Sequence, residues 1–308
     1  MDTYRILLLD DDYFILAALR RELLYKPYIG HVGLEIETFT SPVAALNRAL
    51  EPDGYFDVVI SDIRMPEMNG INFIKAFGKI HPDAVSILLS GHADMPELVQ
   101  AINEAHINFF IIKPWNEYDL KKALWEALRQ YGIRYENQQL ARQYLERFGQ
   151  RHQFKRKEIY RLMVVDDDPH ILRALERELC ESDTTRGAFG LYRLEVNTFG
   201  HADAALQAAR EQQFDVVISD YAMPEMNGVE FLRRLKEVQP NMVRMLISGT
   251  TDVEVLIAAV NTGGVSYFIA KPWHDYELRA AIDRALSHRE MELENRFLAD
   301  LLLLKEKH

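Results

Sequence analysis

A chain of 308 residues with 47 acidic against 36 basic side chains, a formal net charge of −11, is not built mainly to hold nucleic acid. Its 48% hydrophobic and 27% charged residues are those of an ordinary globular protein, no apolar run approaches the roughly 18 residues of a membrane span, and the opening Met1-Asp2-Thr3-Tyr4-Arg5-Ile6 is not a signal peptide. A single cysteine, Cys180, excludes an intrachain disulfide and fits a cytoplasmic location.

Ile6 to Leu9 form a short apolar run that stops at Asp10, Asp11 and Asp12, the pattern of a parallel strand buried on both faces. Phe14, Ile15, Ala18, Leu19 and Leu23 then recur at helical spacing, with Asp12 placed as N-cap. Further strands are expected over 34–39, up to Asp62, over 85–89 and over 109–112. The helices between them open at Ser41-Pro42, run over about 71–80 and 96–105, and start near Glu117. In the second half the strands fall at 162–165, 194–199, 216–219, 243–247 and 267–270, and Asp168-Pro169 opens the first helix. Segments 25–33 and 182–192 read as long loops or helix extensions.

The halves are copies. Phe56-Asp57-Val58-Val59-Ile60-Ser61-Asp62 returns as Phe214 to Asp220, and Met-Pro-Glu-Met-Asn-Gly follows at 65–70 and 223–228, each 158 positions apart. Strands alternating with helices imply right-handed crossovers and, in each half, a doubly wound parallel sheet covered on both faces. The expected division is a domain over 1–130, a helical and basic linker over 131–158, a second domain over 159–288 and a helical extension over 289–308.

The helix from Glu117 carries Leu120, Leu124, Leu128, Tyr131, Tyr135, Leu140, Tyr144 and Phe148, longer than one domain needs and weakly interrupted at Gly132. Arg147, Arg151, His152, Lys155, Arg156, Lys157 and Arg161 follow as a basic run, read as a solvated linker ahead of a docking site for an acidic surface or nucleic acid. Leu278, Ile282, Leu286, Leu293, Phe297 and Leu301 form a C-terminal stripe that needs a partner, for which a second copy of the chain is the candidate.

In such sheets ligands bind beyond the carboxyl ends of the strands. There the first half places Asp10, Asp11, Asp62, Ser90 and Lys113, and the second Asp166, Asp167, Asp220, Ser248 and Lys271. Three converging carboxylates repel unless a cation joins them, and a hard divalent ion with oxygen ligands, Mg²⁺ before Mn²⁺, resolves the conflict. An ion, a lysine and a hydroxyl around one nucleophilic carboxylate make a site for accepting a phosphoryl group.

These residues, with Phe109-Phe110-Ile111-Ile112-Lys113-Pro114-Trp115 and Tyr267-Phe268-Ile269-Ala270-Lys271-Pro272-Trp273, resemble the receiver domain of two-component response regulators over about 125 residues of each half. The resemblance implies flavodoxin-like (βα)5 domains with sheet order 2-1-3-4-5. It also implies phosphoryl acceptance on Asp62 and Asp220 from a histidine kinase or phosphotransfer protein. Metal ligation falls to Asp10, Asp11 and Asp62 with the carbonyl of Arg64, and to Asp166, Asp167 and Asp220 with that of Ala222. Ser90 and Ser248 would bond the new phosphoryl group, and Phe110 and Phe268 would turn inward behind them. The chain is then no enzyme beyond self-catalysed acceptance and loss of phosphate, and it works through a downstream protein or an output domain beyond residue 308.

The copies differ two positions after the acceptor, Arg64 against Ala222, and two after the serine, His92 against Thr250, which predicts different phosphoryl lifetimes. The rival is an aspartyl-phosphate phosphohydrolase; such enzymes typically carry a second Asp two residues after the nucleophile, and neither copy has one. Trp115 and Trp273 are expected in packing, and Asp12 and Asp168 in capping.

Overall fold

Apolar runs that end in acidic residues become the inner strands of two five-stranded parallel sheets. The computed structural model describes residues 3–25, 33–91, 95–149, 157–180, 192–249 and 252–306. In the first copy β1 (Thr3–Leu9), β2 (Gly33–Phe39), β3 (Val58–Asp62), β4 (Val85–Ser90) and β5 (Phe109–Ile112) lie in the order β2-β1-β3-β4-β5. They alternate with α1 (Tyr13–Leu24), α2 (Pro42–Ala49), α3 (Gly70–Ile80), α4 (Met95–Ala105) and α5 (Glu117–Phe148). The second copy repeats this with β6 (Tyr160–Val165), β7 (Leu194–Phe199), β8 (Val216–Asp220), β9 (Val243–Ser248) and β10 (Tyr267–Ala270), ordered β7-β6-β8-β9-β10. Its helices are α6 (Pro169–Cys180), α7 (Ala202–Glu211), α8 (Gly228–Val238), α9 (Val253–Ala258) and α10 (Asp275–Glu306). Both sheets are flavodoxin-like, as expected.

Helices on both faces explain why the inner strands read as unbroken apolar runs: Ile6, Leu7, Leu8 and Leu9 are fully buried. One face of the first sheet packs Ile6, Leu8, Val58 and Ile60 against Leu16 and Leu19 of α1 and Leu120 and Leu124 of α5. The second copy packs Leu162, Val164, Val216 and Ile218 against Leu175 and Leu179 of α6 and Leu278 and Ile282 of α10. Asp12, Ser41, Asn69 and Asn227 cap their helices by accepting backbone N–H groups, and the Asp168 side chain accepts from His170 N at 2.7 Å.

The fourth helices are wound differently over equal length. Residues 95–105 form regular α4, whereas α9 gives way to a π-helical turn over Ala259–Gly263. Both segments leave through a left-handed residue, His106 (φ 50°) and Gly264 (φ 65°). Arg244 on β9 donates from Nε to the Gly264 carbonyl at 3.1 Å, and its burial pushes the guanidinium down to about 10.

Compact units cover residues 1–136 and 137–308, so the last three turns of α5 belong to the second unit. The expected interruption at Gly132 is absent, and α5 runs unbroken through it. One glycine costs a helix only about 1 kcal/mol relative to alanine, and the Tyr131 ring, edge-on to Tyr4 and stacked on Tyr135, buttresses the same turn. In the second unit Ala141 and Tyr144 of α5 pack with Leu298 and Leu302 of α10, flanked by Leu140, Phe148, Phe297 and Leu301. Of the C-terminal stripe, Leu278, Ile282 and Leu286 pack in the second core and Phe297 and Leu301 lie partly buried beside α5.

Lys157 and Arg161 keep 39% and 41% of their side chains exposed, as a solvated run implies, while pairing with buried Asp215 at 2.6 Å and with half-exposed Glu195 at 3.2 Å. Residues 151–156 of the basic run, and the expected loops but for Tyr25, Gly33 and Tyr192, lie outside the described residues. No helix among the described residues is long and apolar enough to cross a membrane.

Leu302 is fully buried in the pair between α5 and α10. Leu302→Ala should cost about 2–5 kcal/mol in urea unfolding of the second unit, with the first unit's transition unchanged.

Candidate functional site

The parallel register gathers the predicted residues. Leu9 pairs with Ser61, Asp62 with Leu89 and Ser90 with Ile112, so Asp10, Asp62, Ser90 and Lys113 emerge together at the carboxyl edge of the first sheet. Val165 with Ser219, Asp220 with Ile247 and Ser248 with Ala270 do the same for Asp166, Asp220, Ser248 and Lys271. Between the central strand and its neighbours the crossovers change direction, which opens the crevice where doubly wound sheets bind ligands.

A lysine ammonium joins two carboxylates in each crevice. Lys113 Nζ lies 2.6 Å from Asp10 Oδ2 and 2.5 Å from Asp62 Oδ1. Lys271 Nζ lies 2.9 Å from Asp166 Oδ2 and 2.6 Å from Asp220 Oδ1. Each lysine is itself positioned by its backbone N–H, which donates to the carbonyl of Ser90 at 2.7 Å or Ser248 at 2.8 Å. The second oxygen of Asp62 and of Asp220 takes the N–H two residues on, from Arg64 at 2.8 Å and from Ala222 at 2.7 Å. Asp10 and Asp166 take the N–H of Asp12 and Asp168, both at 2.9 Å.

Asp10, Asp62, Asp166 and Asp220 are buried, as are Ser90 and Ser248, whereas Asp11 and Asp167 are exposed at the mouth. Burial pushes the Asp10 and Asp166 carboxyls above the usual carboxylate range, only partly offset by hydrogen bonds from the lysines. For Lys113 and Lys271 burial opposes the charge, but two carboxylate partners each outweigh it and raise the ammonium pKa. Oxygens of Asp166, Asp167 and Asp220 lie within 4.8 Å of one another, the one such acidic group among the described residues. These hard oxygen donors fit a divalent cation such as Mg²⁺.

Phe110 and Phe268 are almost fully buried, each on the last strand of its sheet. Trp115 and Trp273 pack against the cores as expected, and Trp115 Nε1 donates to Glu22 at 2.7 Å. Arg64 is exposed and reaches α4, where its guanidinium meets Glu97 at 3.1 Å, while Ala222 has no such reach. His92 and Thr250 lie outside the described residues.

Gly70 and Gly228 are site residues that sequence reading passed over. A Cβ there would sit 1.9 Å from the Asp62 carbonyl oxygen and 2.2 Å from that of Asp220, so only glycine lets α3 and α8 start against the backbone of the acceptor. The recurring Asn-Gly pair was their signal, since Asn caps the helix and Gly opens it.

The response regulator receiver domain family matches residues 6–125 and 162–283, more than three quarters of the chain. The chain belongs to this family. The hydrogenase transcriptional regulatory protein HoxA of Cupriavidus necator is 38% identical over 112 residues, 36% of this chain and 21% of that protein. The C4-dicarboxylate transport transcriptional regulatory protein DctD of Pseudomonas aeruginosa is 35% identical over 147 residues, 48% of this chain and 29% of that protein. The chain therefore spans less than a third of the length of these relatives. Among solved structures, the signal receiver domain of an HD domain-containing protein from Pseudomonas fluorescens Pf-5 matches at 29% identity and a TM-score of 0.38, covering 43% of this chain and 98% of that one. Two receivers in tandem, as the repeat predicted, make up most of this response regulator chain.

Because Lys113 and Lys271 have folded pKa values above their ordinary 10.5, their stabilising contribution is fully present below 10.5 and lost as pH rises through the higher folded value. The stability gap between the parent and Lys113→Met or Lys271→Met, read by denaturant unfolding, should hold steady at neutral pH and narrow above 10.5.

Proposed function

We propose that each receiver is a phosphoryl-accepting switch, with Asp62 and Asp220 as nucleophiles and a phosphohistidine of a histidine kinase or phosphotransfer protein as donor. The observation that carries this reading is the lysine shared between a nucleophile candidate and a second buried aspartate in both copies. An acceptor oxygen forms the O–P bond as the donor N–P bond breaks, and the departing imidazole takes up a proton. Lys113 or Lys271 neutralises charge on the phosphoryl oxygens, which removes the ammonium from at least one of its carboxylate partners. Mg²⁺, or Mn²⁺, would be held by Asp10, Asp11, Asp62 and the Arg64 carbonyl, and by Asp166, Asp167, Asp220 and the Ala222 carbonyl, and would supply charge neutralisation and in-line positioning.

The new group carries roughly −1.5 to −2 charges and three acceptor oxygens. Ser90 or Ser248 donates its hydroxyl to it, and Phe110 or Phe268 fixes the rearranged loop, so contacts with a downstream partner change. The chain has no further enzymatic turnover beyond accepting and losing phosphate. A second reading, that these receivers regulate an output domain beyond residue 308, is favoured by two relatives named as transcriptional regulators, of which the chain spans 21% and 29%.

Intact-mass spectrometry after acetyl phosphate and Mg²⁺ should show two phosphoryl additions, one in Asp62→Asn or Asp220→Asn, and none with both changes or after chelation. No addition to the parent would overturn the assignment. The lifetimes should differ between the two single variants, because the larger Arg64 and His92 can hinder or position hydrolytic water in the first copy while Ala222 leaves its path open in the second. Arg64→Ala in the Asp220→Asn background should move the first receiver's rate of phosphoryl loss toward that of the second; equal rates in the parent receivers would sink this.

A further inference from the structure

The repeated heptapeptide holds a second carboxylate that phosphoryl acceptance does not use. Asp57 and Asp215 stand five residues before the acceptors, at the foot of the same strand segment, and are only 4% and 2% exposed. Each accepts a backbone N–H from the first strand of its sheet, Arg5 at 2.6 Å and Arg161 at 2.8 Å. A buried carboxylate needs more than one neutral donor to be tolerated, and the remaining partners come from the long helices.

In the first copy burial first, and then the neighbouring Asp57 carboxylate, push the Tyr131 phenol of α5 above its ordinary pKa. The position 158 residues later is Arg289 of α10, whose Nε lies 3.9 Å from Asp215 with the side chain 12% exposed. Lys157, where the chain enters the second receiver, lies 2.6 Å from the same carboxylate. Tyr131 and Arg289 each stand six positions past the end of the residues matched by the family, at 125 and 283. The repeat has therefore kept a buried aspartate beside the outgoing helix and changed the residue at the matching helix position, in segments that lie beyond the matched receiver residues.

We infer that Asp57 and Asp215 are anchoring residues that hold each outgoing helix to the foot of the phosphoacceptor strand, through a neutral phenol in the first receiver and a two-cation clasp in the second. The clasp closes the entering chain at Lys157 and the leaving helix at Arg289 onto one aspartate. Further along α10 than Arg289, Leu298 and Leu302 cover Ala141 and Tyr144, so release at Asp215 frees residues 137–148 as well as 290–306. An ion clasp weakens with salt, whereas a phenol hydrogen bond responds far less.

Hydrogen exchange of the full chain, read by mass spectrometry, tests this. Asp215→Asn and Arg289→Gln should speed exchange over 290–306 and 137–148 by about tenfold, while β8 keeps its protection. Arg289→Lys should retain most of the parental protection, because the charge remains. Raising salt to about 1 M should loosen the same two segments in the parent. Tyr131→Phe should loosen the turn of α5 around residue 131, and salt should leave that turn unchanged in the parent. The inference is overturned if 290–306 stays protected in both variants, or if Arg289→Lys loosens it as much as Arg289→Gln. It is overturned equally if β8 loses protection in step, which would make Asp215 a support of the sheet, or if salt loosens both foot contacts alike.

Discussion

Two buried carboxylates at neighbouring strand ends cannot share a crevice without a cation, and in both copies a lysine from the last strand of the sheet supplies it. That requirement ties together elements far apart in sequence: Asp10 follows β1, Asp62 ends β3 and Lys113 follows β5. The backbone serves the same end, since the lysine N–H bonds the serine carbonyl at the end of β4 and thereby sets how far Nζ reaches. Any anionic group entering the crevice would compete for an ammonium that already has two partners, and so would redistribute the charge of the whole cluster.

The sheets and the site were legible because the same residues do both jobs. An apolar run that stops at aspartate marks a buried strand and its carboxyl end at once, and parallel pairing brings all such ends to one edge. What escaped notice depends on partners distant in sequence. Lys157 and Arg161 lie in a run of basic residues that reads as solvent-facing, yet each meets an acid brought up by the second sheet. Tyr144 reads as part of a connecting helix and Leu301 as part of a stripe without a partner, and only the fold packs Tyr144 with Leu302, flanked by Leu301. Gly132 reads as a break because propensity is local, whereas the tyrosines that buttress it come from β1 and from the next turn. Gly70 and Gly228 were visible as part of a repeated motif, but their closeness to the acceptor carbonyl is a distance that no spacing encodes.

Duplication has preserved the crevice and let its surroundings diverge. Arg64 reaches Glu97 where the second copy has only Ala222, and Tyr131 is replaced by Arg289 beside a carboxylate that both copies keep. Ser86, whose N–H is held by the Asn108 side chain at 3.0 Å, gives way to Arg244, a buried cation solvated by carbonyls of Gln239, Pro240 and Gly264. Such substitutions leave the lysine and aspartate cluster alone and alter how the surrounding elements are held.

The π-helical turn in the second copy is the sharpest of these differences. Eleven residues, 95–105 and 253–263, span corresponding ends in the two receivers, and one set is wound throughout with i→i+4 bonds while the other widens part of the way to i→i+5. A π-turn has more residues per turn than an α-helix, so the same eleven residues carry their side chains around the axis at different angles in the two receivers. Equal length and a shared left-handed exit therefore do not make the two fourth helices copies of one surface.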